Sequence, residues 1–175
     1  YGKSRFTELM KTLSALDGDF VLRMLYIHPD TFPMDLIDLV AENKKILPYF
    51  DIPVQHADRD VLKAMRRSGD GEKYGELFRK IREKNPDEVI RTTLRLGCPG
   101  EDRAAFEKLL DFVKTSQPDW IGAFTYSREE DTPAYSMRNQ KDHDKAQRTA
   151  KKWQKELEEA QSPITEKRLE KFVGN

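Results

Sequence analysis

The stretch V-I-R-T-T-L-R-L-G-C-P-G-E, residues 89–101, decides the fold. It reads as a strand, a tight turn and the start of a helix. Ile90, Thr92, Leu94 and Leu96 fall on one face of the strand and Arg91, Thr93 and Arg95 on the other, because strand side chains alternate with period two. Gly97 and Gly100 bracket Cys98-Pro99, a run that neither continues a strand nor sits inside a helix. Glu101 and Asp102 then open a helix whose positive end suits acidic groups, and Phe106, Leu109, Leu110 and Val113 follow at helical spacing. Strand–loop–helix units normally build parallel sheets with strands that are apolar on both faces. Here one face is Arg-Thr-Arg. Either the sheet is barrel-like, with a polar, partly wet interior that holds an ionic ligand, or this is an edge strand with one solvated face.

The flanking chain repeats the alternation. Residues 5–16 predict a helix with Phe6, Leu9, Met10 and Leu13 on one face, ended by Asp17-Gly18-Asp19. Residues 20–27 are a dense apolar run with only Arg23 charged, as expected of a buried strand. Residues 33–42 predict a helix with Leu36, Ile37, Leu39 and Val40 largely inside, and residues 49–53 the next strand. Two helices follow, over 58–67 and 72–84, with Ser68-Gly69-Asp70-Gly71 as the turn between them. After the helix from Glu101 to about residue 115 comes a strand over 120–126 and a charged loop, S-R-E-E-D-T-P. This order predicts an α/β fold of about four parallel βα units. Closed βα barrels use eight strands, so the expected architecture is a partial TIM-like barrel. Residues 1–138 form that body. Residues 139–175 form a helical extension whose stripe of Ala146, Ala150, Trp153, Leu157 and Ala160 suits packing across the outside of the domain or a short coiled-coil seam, with a kink or break expected at Pro163 and a second apolar patch, Leu169, Phe172 and Val173, before Gly174.

Composition bounds the chemistry. The chain has 175 residues, 37% hydrophobic and 35% charged, with a formal net charge of zero, so there is no global attraction to nucleic acid. One cysteine cannot build a disulfide within the chain or an iron–sulfur site of several cysteines. No apolar run approaches the length of a membrane span, and no signal-peptide pattern is visible, so a cytoplasmic protein is the expectation. The chain opens at Tyr1 without methionine, which suggests a piece of something longer. In such sheets ligands sit at the carboxyl ends of the strands. Those ends are His28, Gln55-His56, residues 97–100 and Tyr126-Ser127. His56 suits an acid, a base or a ligand, or a plain hydrogen-bonded loop histidine. Cys98 suits a nucleophile or, more simply, a small buried or ligand-packing residue. The turn at 97–100 could offer backbone N–H groups to an anionic or polar ligand.

Three blocks carry a resemblance: Y-F-D-I-P-V-Q-H-A-D-R-D-V-L-K-A-M-R-R (49–67), R-T-T-L-R-L-G-C-P-G-E (91–101) and G-A-F-T-Y-S-R-E-E-D-T-P-A-Y (122–135). In this order they resemble the radical SAM methylthiotransferases. The similarity runs over nearly the whole chain, and its A-Q-S-P-I…F-V-G tail resembles that family's linker to a C-terminal β-barrel domain. Within the family, Q-H, R-T-T and Y-S-R-E-E-D-T-P resemble the branch that modifies an aspartate of a small-subunit ribosomal protein rather than the tRNA-modifying branch. Cys98 departs from the usual aromatic residue before Pro-Gly-Glu, which implies a packing change. The resemblance implies a whole enzyme that uses one [4Fe–4S] cluster to cleave S-adenosylmethionine to a 5′-deoxyadenosyl radical, a second cluster to supply sulfur and another S-adenosylmethionine to supply methyl. The cysteine triads for both clusters are not in this chain. It would then be the second half of the core plus its linker helix, inactive alone. The positions matching the family blocks, and so implied as cofactor-binding, are Gln55, His56, Arg66, Arg91, Thr93, Gly97, Pro99, Gly100 and Glu101. Arg91 or Arg66 would pair with a methionyl or target carboxylate. Asp51 is the structural alternative as a partner for Arg91.

Two other readings stand beside it. One is a different βα-barrel enzyme, such as a lyase that uses Arg and His on an anionic substrate. The other is a non-catalytic module that works through its charged tail helix. Half a barrel would leave open sheet edges and an uncovered interior, so self-association is also expected.

Overall fold

The computed structural model describes residues 4–173. Three parallel strands form one sheet in the order β1 (Tyr49–Asp51), β2 (Val89–Leu96), β3 (Trp120–Thr125), joined by helices. Helices α1 (Phe6–Ser14) and α2 (Asp35–Glu42) precede the sheet, α3 (Arg59–Ala64) and α4 (Gly71–Lys84) link β1 to β2, α5 (Arg103–Ser116) links β2 to β3, and α6 (Gln140–Leu169) closes the chain. Asp58 starts α3 and Asp70 starts α4, each accepting backbone N–H groups of the first turn. Asp102 does the same for α5, so the helix begins two residues later than expected and Glu101 belongs to the turn.

The two-faced character of β2 organises the packing. Ile90, Thr92, Leu94 and Leu96 are fully buried beneath Phe78, Phe106, Val113 and Leu157 of the helices. The polar member, Thr92, is satisfied there: its hydroxyl donates to the Ile52 carbonyl at 2.8 Å and accepts the Val54 N–H at 3.3 Å. Arg91, Thr93 and Arg95 lie on the opposite face. The parallel register sets them beside Trp120, Gly122 and Phe124 of β3, and Trp120 and Phe124 are exposed. The sheet is thus covered on one face and open on the other, as in a cut barrel.

Two expectations are corrected. Residues 20–27 do not form a strand. They run beside β1 with a single parallel bridge, Leu22 to Ile46, and the Ile27 N–H reaches the Asp51 carbonyl at 2.8 Å. Tyr26 adopts φ +58°, which ends the extended conformation, and Val21, Leu25 and Tyr26 are exposed. The other correction concerns Pro163, which does not break α6. Its missing N–H leaves the carbonyl of exposed Glu159 to water. On the inner side Gln161 and Thr165 bond the Asp119 carbonyl and hold the helix on course.

α6 packs on the domain and forms no seam of its own. Trp153 stacks on Phe106 with centroids 4.9 Å apart. Gln147, Gln154 and Gln161, seven residues apart, donate to the carbonyls of Tyr126, Ala123 and Pro118. Its last turn is anchored by Arg168, which meets Asp119 at 2.9 Å and also Glu88. Phe172 and Val173 of the tail patch are exposed, and Gly174 lies outside the described residues.

Candidate cofactor site at the carboxyl ends of the strands

The turn after β2 lies at the carboxyl ends of the strands and is held by a network of polar contacts. Gly97 and Gly100 take φ of +79° and +86°, which glycine adopts without strain. The side chain of Glu101, buried, folds back under the turn. Its Oε2 accepts the N–H of Gly97 at 2.5 Å and of Cys98 at 3.0 Å, and its Oε1 lies 3.3 Å from His56 Nε2. His56 Nδ1 accepts the Asp58 N–H at 2.9 Å, which leaves the ring proton on Nε2 to be donated to Glu101. His56 is fully buried with both nitrogens engaged. It is a bracket between the β1 and β2 loops. The N–H groups of Gly97 and Cys98 are therefore held by Glu101, so the turn does not present them to a ligand as the sequence suggested. The buried carboxylate occupies the place an anion would take.

Gly97 has a second role. A Cβ there would lie 2.7 Å from the Ala150 Cβ, so the glycine lets α6 pack on the turn. Gly100 has open space around it. Cys98 is buried against Val61, Ala105 and Tyr126, and burial, reinforced by Glu101, pushes its thiol up to about 12. A buried, protonated thiol is a poor nucleophile, which suits the simpler expectation of a small buried residue.

The other implied residues divide. Gln55 continues β1 in a bridge to Leu94, with φ +70°, its N–H on the Thr93 carbonyl and its carbonyl accepting the Arg95 N–H. It is half-buried beside the open face. Arg91 meets Asp51 at 2.9 Å, and Asp51 is almost entirely buried. The structural partner weighed for Arg91 is therefore in place. Arg66 is exposed at the end of α3, at φ +59°, with no side-chain hydrogen bond among the described residues. Thr93 is half-buried on the open face.

Pro99, implied as cofactor-binding, lines a cavity together with residues outside that set. This cavity, of about 230 Å³, opens at the ends of β2 and β3. Val61, Met65, Cys98, Pro99, Tyr126 and Met137 make its apolar walls, with Arg95 among its lining. The Tyr126 hydroxyl is buried and without a hydrogen-bond partner among the described residues. Such a group costs about 1–3 kcal/mol until something bonds it. The exposed Arg95 guanidinium likewise makes no hydrogen bond among the described residues. The cavity is walled mostly by apolar side chains, with Arg95 as its charged member. A larger cleft of about 420 Å³ is lined by Arg59, Asp70 and Lys108, which are already held in the Arg59–Asp70 and Lys108–Asp58 ion pairs. The strand-end cavity is the better candidate on chemistry. Among the described residues no group of His, Cys, Asp and Glu could hold a metal ion, and no helix is long and apolar enough to cross a membrane.

An open parallel α/β sheet, helix-covered on its outer face and with its cavity at the strand ends, is part of a TIM-like barrel. The chain belongs to the Radical SAM superfamily, whose family model matches residues 3–113. It is 42% identical over 173 residues to "Ribosomal protein uS12 methylthiotransferase RimO" of Treponema denticola, covering 95% of this chain and 36% of that protein. The protein of the same name from Thermotoga maritima is 39% identical, covering 99% of this chain and 40% of the relative. That of Alkaliphilus oremlandii is 39% identical, covering 100% and 39%. The chain thus spans about two-fifths of the length of these relatives. The fold matches coproporphyrinogen III oxidase (HemN) of Escherichia coli, a radical SAM enzyme, with TM-score 0.60 and 20% identity, over 81% of this chain and 33% of that one.

Proposed function

We propose that this chain is the later part of the catalytic core of a radical SAM methylthiotransferase that modifies an aspartate of the small-subunit ribosomal protein uS12, with residues 139–175 as the helical link to a further domain. The observation that carries this reading is the match along almost the entire chain to relatives named for that activity. The strand-end cavity supports it, because it suits the adenosyl end of S-adenosylmethionine. A purine is flat, with apolar faces and a polar edge, the Tyr126 hydroxyl lacks a partner among the described residues, and Arg95 and Gln55 border the open face. Bound there, S-adenosylmethionine would supply a radical for hydrogen abstraction on taking one electron from a cluster held elsewhere in the enzyme, and a second molecule would supply the methyl group. The residues of this chain would hold and orient it and exclude water from one side.

Iron–sulfur clusters are a different matter. The lone cysteine is buried with a raised pKa, and the described residues hold no metal-ligand cluster. This chain does not fit a cluster, so both clusters would be ligated elsewhere and the chain alone would be inactive. The open sheet face, with Trp120 and Phe124 exposed, would also drive the isolated chain to self-associate, which light scattering against concentration would check. The full-length protein, reconstituted with iron and sulfide, should add one methylthio group to uS12, read by mass spectrometry of the aspartate-bearing peptide. Modification of tRNA with uS12 left untouched would move the protein to the other branch. Activity in the isolated chain without iron would overturn the assignment.

A further inference from the structure

We propose that Arg138 is a positioning residue of this cofactor site, and that through it α6 sets the shape of the turn at residues 97–101. The inference rests on the cofactor reading above and names a residue that neither sequence motif nor comparison assigns. Arg138 stands between the 3₁₀ helix Pro133–Met137 and the Asn139 cap of α6. Its guanidinium donates to the Gly97 carbonyl at 2.9 Å and to the Cys98 carbonyl at 3.1 Å. Two successive carbonyls bound by one planar fork fix the two peptide planes relative to each other.

The same turn is held from the other side by Glu101, on the N–H groups of the same two residues. Gly97 and Cys98 therefore have all four backbone polar groups engaged: the Glu101 carboxylate accepts both N–H groups, Arg138 donates to both carbonyls, and the Glu101 N–H shares the Cys98 carbonyl at 3.1 Å. Cys98 and Pro99 in turn form a wall of the strand-end cavity. Arg138 is itself placed by its surroundings. Arg128 donates to the Tyr135 carbonyl at 3.0 Å, lies over the Tyr135 ring and reaches Gln140, which fixes the segment before Arg138. Ala150 backs the turn at Gly97, and Gln147 donates to the carbonyl of Tyr126, on the opposite wall. A shift of α6 along its axis would thus move two walls of the cavity together. α6 is thereby joined to the site by direct contacts.

The test compares wild type, Arg138→Gln and Arg138→Lys in the full-length protein. Readouts are S-adenosylmethionine binding by equilibrium dialysis, hydrogen exchange of the 95–102 backbone, and thermal unfolding. Arg138→Gln should bind S-adenosylmethionine about tenfold more weakly, with faster exchange confined to the turn and little change in melting temperature. Arg138→Lys, which keeps the charge and loses the fork, should fall between. Wild-type protein that binds no S-adenosylmethionine would overturn the cofactor reading itself. Equal binding by wild type and Arg138→Gln, or exchange at the turn unaltered by the substitution, would overturn the role of Arg138 alone.

Discussion

Replacing Arg91 by Gln removes the cation facing a carboxylate that has almost no access to water. The Asp51 side chain is 2% exposed and that of Arg91 29%, and their closest atoms are 2.9 Å apart. Asp51 has no other side-chain partner among the described residues, so after Arg91→Gln its charge keeps its desolvation penalty and loses its main compensation. Breaking a buried pair costs about 3–5 kcal/mol. The partial exposure of Arg91 and the donor retained by Gln point to the lower side, about 2–3 kcal/mol, because screening has already weakened the pair. For a chain of this size that is a fall of roughly 5–10 °C in melting temperature. The assay is thermal unfolding by circular dichroism for wild type, Arg91→Gln, Asp51→Asn and the double variant. The double variant should be far less damaged than the sum of the singles, since Asn next to Gln leaves no orphaned charge. A melting temperature within a degree of wild type and no coupling in the cycle would refute the structural pairing. If S-adenosylmethionine affinity of the full-length protein fell in the same variant, Arg91 would return to the ligand side.

Gly97→Ala should destabilise by more than 2 kcal/mol, with roughly 1–2 from the left-handed backbone and the rest from the clash with Ala150, whereas Gly100→Ala should lose only the backbone part; equal losses in chemical denaturation would refute the packing role. Cys98 should resist iodoacetamide at pH 8 in the folded chain and react on unfolding. Its folded pKa, raised by burial to about 12 from an ordinary value near 9, also means that stability declines as pH rises from about 9 towards 12, a decline that Cys98→Ala should reduce. The carboxyl of Asp70 is held below its ordinary range chiefly by Arg59, and that of Asp58 by Lys108 and the first-turn N–H groups against the opposing effect of burial. Their stabilisation is present above the ordinary carboxylate pKa near 4 and is lost as pH falls through the lowered value, so acid titration followed by circular dichroism should show a weaker acid transition in Asp58→Asn and Asp70→Asn.

The alternation of residues 89–101 was enough to determine a strand with one buried and one polar face, because period two leaves no other assignment for Ile90, Thr92, Leu94 and Leu96. Helical spacing likewise located α1, α2, α4 and α5, and three motif blocks were sufficient to point to the family. These are local properties of the chain, and local rules read them. What lay beyond them depends on who is near whom. Residues 20–27 look like a strand in composition, yet pairing needs a neighbour along their length, and only Leu22 and Ile27 reach one. Pro163 looks like a helix break, yet the bonds of Gln161 and Thr165 to Asp119 outweigh one lost hydrogen bond. The site divides the same way. The glycines and Glu101 were legible as a turn, but nothing in sequence says that Glu101 would occupy the N–H groups the turn seemed to offer, or that Arg91 would find Asp51. Arg138 carries no motif at all. Its meaning arises only when the start of α6 is laid against a turn some forty residues earlier, a distance along the chain that periodicity cannot span and tertiary packing closes.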